Sequence, residues 1–311
     1  MAANTKIWLG DSTGDPDNWD WDDAPGFVDS NWVTDDSVRC AKPVDDDKVI
    51  LTGDQDIQDG LDQTAVDLYK LIIHEDYTGN IGSAGNWLEF DNATPTEYLY
   101  YSAVGANYLK GRFLYSNITG TGTDGELHLY QTDNGAVFAC SKGVVFLTIE
   151  AAKYIDYGLI GYQQQGTKLS DVTLEIDSAG AGNGYLARYV QTGGTVSFDS
   201  TVKTYYASVC GGELTYLGSG DMANLSVFGG TVRFIEDSLS PWNITIGESG
   251  IVDAREIESA FSFDQIVIMP GGKLKLDNGA ANVTVVRLWR HGGDVQIDNG
   301  RIYEAMERDL S

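Results

Sequence analysis

Between residues 193 and 297, apolar and polar positions alternate in short bursts, each restarted by a pair of small residues. The bursts read GGTVSFD from Gly193, GGELTYL from Gly211, GGTVRFI from Gly229, SGIVDAR from Ser249, GGKLKLD from Gly271 and GGDVQID from Gly292. Their spacings are 18, 18, 20, 22 and 21 residues. Two residues beyond the second member of each pair stand Val196, Leu214, Val232, Val252, Leu274 and Val295. Four residues beyond it stand Phe198, Tyr216, Phe234, Ala254, Leu276 and Ile297. Between and before these, every position is polar except Ile251. Alternation with a period of two marks a strand with one buried face.

A strand that restarts about every 20 residues is the pattern of a solenoid. Helical repeats are longer, and propeller blades need about twice the length. The pattern predicts an all-β chain, a right-handed parallel β-helix (β-solenoid) with coils of ~20 residues. The glycine pairs fit its corners, where stacked chain turns approach closely and a Cβ would be in the way. Runs such as LSVF at 225–228, ITI at 244–246 and IVIM at 266–269 predict a second strand in each coil, with room for a third. The expected core ladder is Val196, Leu214, Val232, Val252, Leu274 and Val295, one rung per coil. Upstream, GVVFLTIE at 143–150, GELHLYQT at 125–132 and NYLKGRFLYSN at 107–117 carry the same texture less regularly.

The two ends differ from the middle. Residues 1–60 hold 15 Asp, no Glu and four basic residues, a net charge of −11, together with Trp8, Trp19, Trp21 and Trp32. An open solenoid end exposes unpaired strand edges. The segment is therefore expected to form an N-terminal cap, with the four tryptophans either plugging the first coil or docking a partner. Residues 61–300 make up the β-helix. In 301–311, Ile302, Met306 and Leu310 fall on one helical face, which predicts a short C-terminal capping helix.

Over the whole chain of 311 residues the formal net charge is −26. This opposes nucleic acid as a partner, and an anionic membrane surface as well. No apolar run approaches the ~20 residues of a membrane-spanning helix, and no signal peptide is visible. Three cysteines, Cys40, Cys140 and Cys210, are too few and too scattered for a disulfide framework.

The opening joins Trp8 and Trp19 through LGDSTGDPDN, then gives Asn31-Trp32, PVDDDKVIL at 43–51 and LIIHEDYTGNIG at 71–82. This succession resembles the entry of right-handed β-helix virion proteins of tailed bacteriophages. The resemblance covers the first ~90 residues by phrase and the rest by texture, and it carries no functional residues across. It implies a structural virion protein, foremost a capsid decoration or cement protein. Such a protein is made in the host cytoplasm, sits on the virion surface and contacts other virion proteins, with homo-oligomerisation open. The alternatives are a tail spike or fibre binding host glycan, a polysaccharide lyase or glycosidase, and a surface adhesin.

No catalytic, cofactor-binding or metal-binding set is assigned. Asp20, Asp22, Asp23 and Asp45–Asp47 have calcium-ligand chemistry but no calcium-loop spacing, and read as a solvated acidic face. His74, His128 and His291 lack zinc-ligand spacing. Glu175/Asp177, Asp253/Glu256 and Lys273/Lys275/Asp277 are the charged groups that stacking would gather across coils. Five Asn-x-Ser/Thr sequons begin at Asn92, Asn117, Asn224, Asn243 and Asn282. The cysteine reading has a direct check: thiol titration under denaturing conditions is expected to count three thiols, and a count of one would show a disulfide.

Overall fold

A computed structural model describes residues 4–90, 96–121, 125–132, 134–161, 172–179, 184–198, 202–217, 222–235, 243–257, 261–276, 283–298, 303–304 and 307–309. Strands are the regular structure among them, and no helix occurs. The fold is a β-solenoid whose strands pair in parallel, coil on coil. The chain divides into two compact units, Met1–Thr148 and Ile149–Ser311. Each unit contains two ladders; most coils contribute one strand to each, whereas Lys203–Tyr216 and Met222–Phe234 run through both.

In the first unit, one ladder runs Thr5–Trp8, Lys48–Gly53, Lys70–Tyr77, Thr96–Tyr101, Phe113–Ile118 and Ala136–Cys140. The other runs Asp62–Gln63, Leu88–Phe90, Ala106–Gly111, Glu126–Gln131 and Gly143–Glu150. One antiparallel strand pair interrupts the scheme: Trp32–Val33 folds back on Thr5–Trp8, with Ile7 opposite Val33 and Trp8 opposite Trp32. The first two rungs of this unit thus already lie within the acidic opening segment.

The second unit contains the glycine-punctuated repeat. Val196 pairs with Leu214, Leu214 with Val232, Val232 with Val252, Val252 with Leu274, and Leu274 with Val295. The predicted ladder is therefore continuous and in register. Its first five members are fully buried, and Val295 is half-buried. Beside it, Tyr189, Phe198, Tyr216, Phe234 and Phe263 follow one another with ring centroids 5.0, 5.7, 6.1 and 6.4 Å apart. Their tilted and edge-on contacts are the favourable aromatic geometries. The buried Tyr189 and Gln191 are bonded within the stack. The Tyr189 hydroxyl donates to Gln191 Oε1 (2.9 Å), and Gln191 Nε2 donates to the carbonyls of Gly194 (3.1 Å) and Glu213 (3.0 Å).

The glycine corners have the geometry that the repeat implied. Gly212 and Gly230 have φ of +78° and +72°. A Cβ on Gly212 would strike the Gly194 carbonyl, and one on Gly230 the Gly212 carbonyl. Stacked corners therefore exclude a side chain on both steric and conformational grounds. The register between Lys203–Tyr216 and Met222–Phe234 shifts at this place, between Val209 and Glu213, so the chain turns the corner without leaving the sheet.

The described residues of 301–311 do not form the expected C-terminal helix. Tyr303–Glu304 and Glu307–Asp309 are strands that pair in parallel with Val283–Arg290; Ile302, Met306 and Leu310 lie outside the described residues. A helix of about ten residues is marginal in water, whereas the free edge of Val283–Arg290 supplies a ready row of backbone partners.

Two substitutions test the stacking. Leu214→Ala is expected to lower the unfolding free energy by about 2–5 kcal/mol through cavity formation. Val232→Asp places an unpaired charge in the ladder, so its urea melt should lose cooperativity. A V232D protein with a wild-type urea midpoint would contradict the inward placement.

Candidate functional site

The acidic opening segment makes its largest departure from the coil pattern between the strands Thr5–Trp8 and Lys48–Gly53. Three of its four tryptophans point inward. Trp8, Trp19 and Trp32 are fully buried. Trp32 lies 5.1 Å from Trp8 and 4.8 Å from Trp19, edge-on to both, and Trp19 continues to Phe90 at 6.1 Å. The Trp32 indole N–H donates to the Trp19 carbonyl at 2.7 Å. These three side chains are interior packing of the first unit, so the expectation that they offer exposed docking anchors is corrected. An indole ring buries a large apolar area, and the first coils have space for it. Trp21 is the exception. It is half-buried, lies across Gly14, and donates its indole N–H to the Asp29 carbonyl at 3.0 Å.

The aspartates build the loops around this cluster. Asp29 accepts hydrogen bonds from the Thr13 and Gly14 N–H groups and the Thr13 hydroxyl, which holds its carboxyl below the usual range. The buried Asn31 amide is the hub. It accepts from the Ser12 N–H (3.1 Å) and donates to the Asp15 (2.7 Å) and Asn18 (3.0 Å) carbonyls. Asp20 binds Lys42 Nζ at 2.7 Å and Gln63 Nε2 at 3.0 Å. Asp22 accepts from the Ala24 and Lys42 N–H groups, and Asp23 from that of Asp29. Asp45 accepts from the Asp67 N–H and Asp47 from that of Val44. The acidic run thus acts as turn chemistry. Valines are left on its surface: Val28, Val38 and Val44 are 81%, 60% and 52% exposed.

Among the described residues, Asp15, Asp17 and Asp59 form the one acidic group close enough to share a cation, with ligand oxygens within 4.8 Å of one another. The sequence does not single it out, because Asp59 approaches through the pairing of Asn18 with Asp59. Partial burial raises the Asp17 carboxyl above its ordinary value, and Asp15 and Asp59 push it the same way.

Coil stacking does gather charged residues on the second unit, as ion pairs. Arg233 bridges Glu213 (3.1 Å) and Glu256, and Arg255 bridges Asp253 (2.7 Å) and Asp298 (3.2 Å). Burial alone would raise Asp253, but Arg255 and Lys275 hold it below the ordinary carboxyl range. Glu175 is exposed and Asp177 accepts from the Ser178 N–H, while Asp277 lies outside the described residues. Sequon residues Asn224 and Asn243 bond across coils, Asn243 Nδ2 donating to Asn224 Oδ1 at 3.1 Å; Asn92 and Asn282 lie outside the described residues. The three cysteines are free, and burial pushes the Cys140 thiol up to about 12.

The first unit also carries an outward aromatic group, to which the strand-like runs at 107–117, 125–132 and 143–150 each contribute one ring. Tyr108, His128 and Phe146 stack flat, with centroids 4.2 and 4.6 Å apart and planes within 10°. Trp87 stands nearly perpendicular beside them. No protein-family model, curated protein or solved structure matches the chain.

Two outcomes check this reading. Trp19→Ala is expected to cost about 3–5 kcal/mol and Trp21→Ala about 1–2 kcal/mol, measured by urea unfolding. A carboxyl raised by folding opposes stability once pH exceeds its unfolded value. Asp17→Asn should therefore raise the melting temperature at neutral pH, and the gain should vanish below about pH 3.9.

Proposed function

We propose that the protein is a structural component of a tailed-phage virion, of the capsid decoration or cement type. The observation that carries this reading is the in-register stacking of coils. Each coil satisfies its backbone through its neighbours and adds one row to a continuous core. Strands stacked in this way are stiff, a property suited to an outer reinforcing part. The phage-like entry phrase at residues 8–82 supports the same assignment. A net charge of −26 keeps a protein needed in many copies soluble before it assembles.

The attachment point in this reading is the acidic opening segment, through its exposed valines and not its buried tryptophans. Val28, Val38 and Val44 supply apolar contact, and the surrounding aspartates steer the segment toward a basic partner surface.

Quantitative mass spectrometry of purified virions is expected to find the protein in hundreds of copies, as decoration requires. A handful of copies in a multiple of three would assign it to the tail, and absence from virions would end the proposal. The double variant Val28→Asp/Val38→Asp should keep the wild-type melting temperature and lose particle occupancy roughly tenfold. Full occupancy would move the attachment point elsewhere.

A further inference from the structure

The outer face of the second ladder in the first unit carries aromatic rings next to charged side chains. Its strands are Leu88–Phe90, Ala106–Gly111, Glu126–Gln131 and Gly143–Glu150. Parallel register places Tyr108 beside His128, and Lys110 beside both Glu89 and Tyr130. The Tyr108, His128 and Phe146 rings are stacked. Trp87 stands at 89°, 83° and 76° to Tyr108, His128 and Tyr130, with centroids 5.3, 6.4 and 6.0 Å away. The two ring orientations make a right-angled apolar corner, and all five rings remain half-exposed.

The polar groups beside this corner are engaged with one another. Lys110 Nζ binds Glu89 at 2.8 Å and approaches the Tyr130 ring at 5.7 Å. Glu126 Oε1 is bonded to His128 Nε2 at 3.0 Å. Lys110 is already held by Glu89, which leaves its ammonium group less able to hold an anionic ligand. The acid surplus of the whole chain opposes anionic ligands further. What the face does provide is rigid ring surface next to carboxylate oxygens, phenol hydroxyls and an ammonium group.

We infer that this face binds a neutral polysaccharide. A pyranose has an apolar C–H face that lies against an aromatic ring, and hydroxyls around its edge that bond to flanking carboxylates. The face meets both needs side by side. Rigidity favours binding, because rings already ordered by stacking lose little freedom when the ligand arrives. Trp87 supplies the flat platform, and Glu126 and Glu89 accept from sugar hydroxyls. The assignment holds whether the protein sits on a capsid or a tail.

The experiment screens the full chain on an array of neutral oligosaccharides, including cello-, chito-, malto- and laminari-hexaose, with polygalacturonate and hyaluronate as anionic counterparts. Hits are then titrated by tryptophan fluorescence. Saturable binding to a neutral oligosaccharide is expected, weakened roughly tenfold or more by Trp87→Ala and by Glu126→Gln. Glu126→Gln leaves every ring in place, so it tests the face even if Trp87→Ala unfolds. Tyr205→Ala, an exposed aromatic on the second unit, should bind like wild type. Several results would overturn the inference: no neutral oligosaccharide bound, preference for the anionic polymers, or unchanged affinity in E126Q. Loss of virion occupancy in W87A with no glycan bound by wild type would instead make this face a protein contact.

Discussion

Parallel backbone pairing in strict register, coil upon coil, is the constraint on which the rest of the structure depends. Once Val196 pairs with Leu214 and Leu214 with Val232, the other residues of the same ladder are aligned as well, Phe198 with Tyr216 and Tyr216 with Phe234. Inward positions form columns of apolar side chains, and outward positions form columns of polar or aromatic ones. A single insertion within a strand would turn every later side chain of that strand to the other face. Length variation is therefore confined to the corners and the loops between strands, which is where the spacing changes from 18 to 22 residues.

The same constraint explains the two kinds of outer surface. On the second unit, columns of Glu, Arg and Asp interlock as ion pairs, such as Glu213–Arg233–Glu256. Exposed pairs of this kind contribute little to stability singly, but they prevent like charges from stacking. Other columns are aromatic: Tyr108, His128 and Phe146 stack on the first unit because register leaves their rings one rung apart, and Tyr154, Tyr185 and Tyr205 follow one another on the second. Stacking decides which residues become neighbours, and neighbours decide what the face can bind.

The opening segment shows where regular stacking ends and local chemistry takes over. Strand Thr5–Trp8 has Lys48–Gly53 on one side and Trp32–Val33 on the other, so both of its edges are paired. The aspartates in the excursion accept backbone N–H groups that no coil would otherwise satisfy. The buried indoles give the first unit an aromatic interior that runs from Trp8 through Trp32 and Trp19 to Phe90 and Phe113. The segment is acidic because it turns often, and it is rich in tryptophan because it packs.

The sequence by itself determined the solenoid, the core ladder from Val196 to Val295, the glycine corners and the free cysteines. These follow from local rules, namely a two-residue alternation, a restart near 20 residues and the absence of a Cβ at a crowded turn. Only the tertiary structure decided which side of the protein each remaining aromatic faced. Trp8, Trp19 and Trp32 have the composition of a docking patch, and are buried because the first coils have room for three indoles. Tyr108, His128 and Phe146 look like isolated strand residues in the linear chain, separated by about one coil each. The last described strands went against the helical pattern at 301–311, because the open edge of Val283–Arg290 outweighed a short helix's own preference. Asp59 likewise joins Asp15 and Asp17 through a bridge that no spacing in the sequence announces. The physical reason is the same in each case. Alternation reports whether a residue faces in or out along its own strand, whereas a site is made of residues brought together by the strand on the next coil.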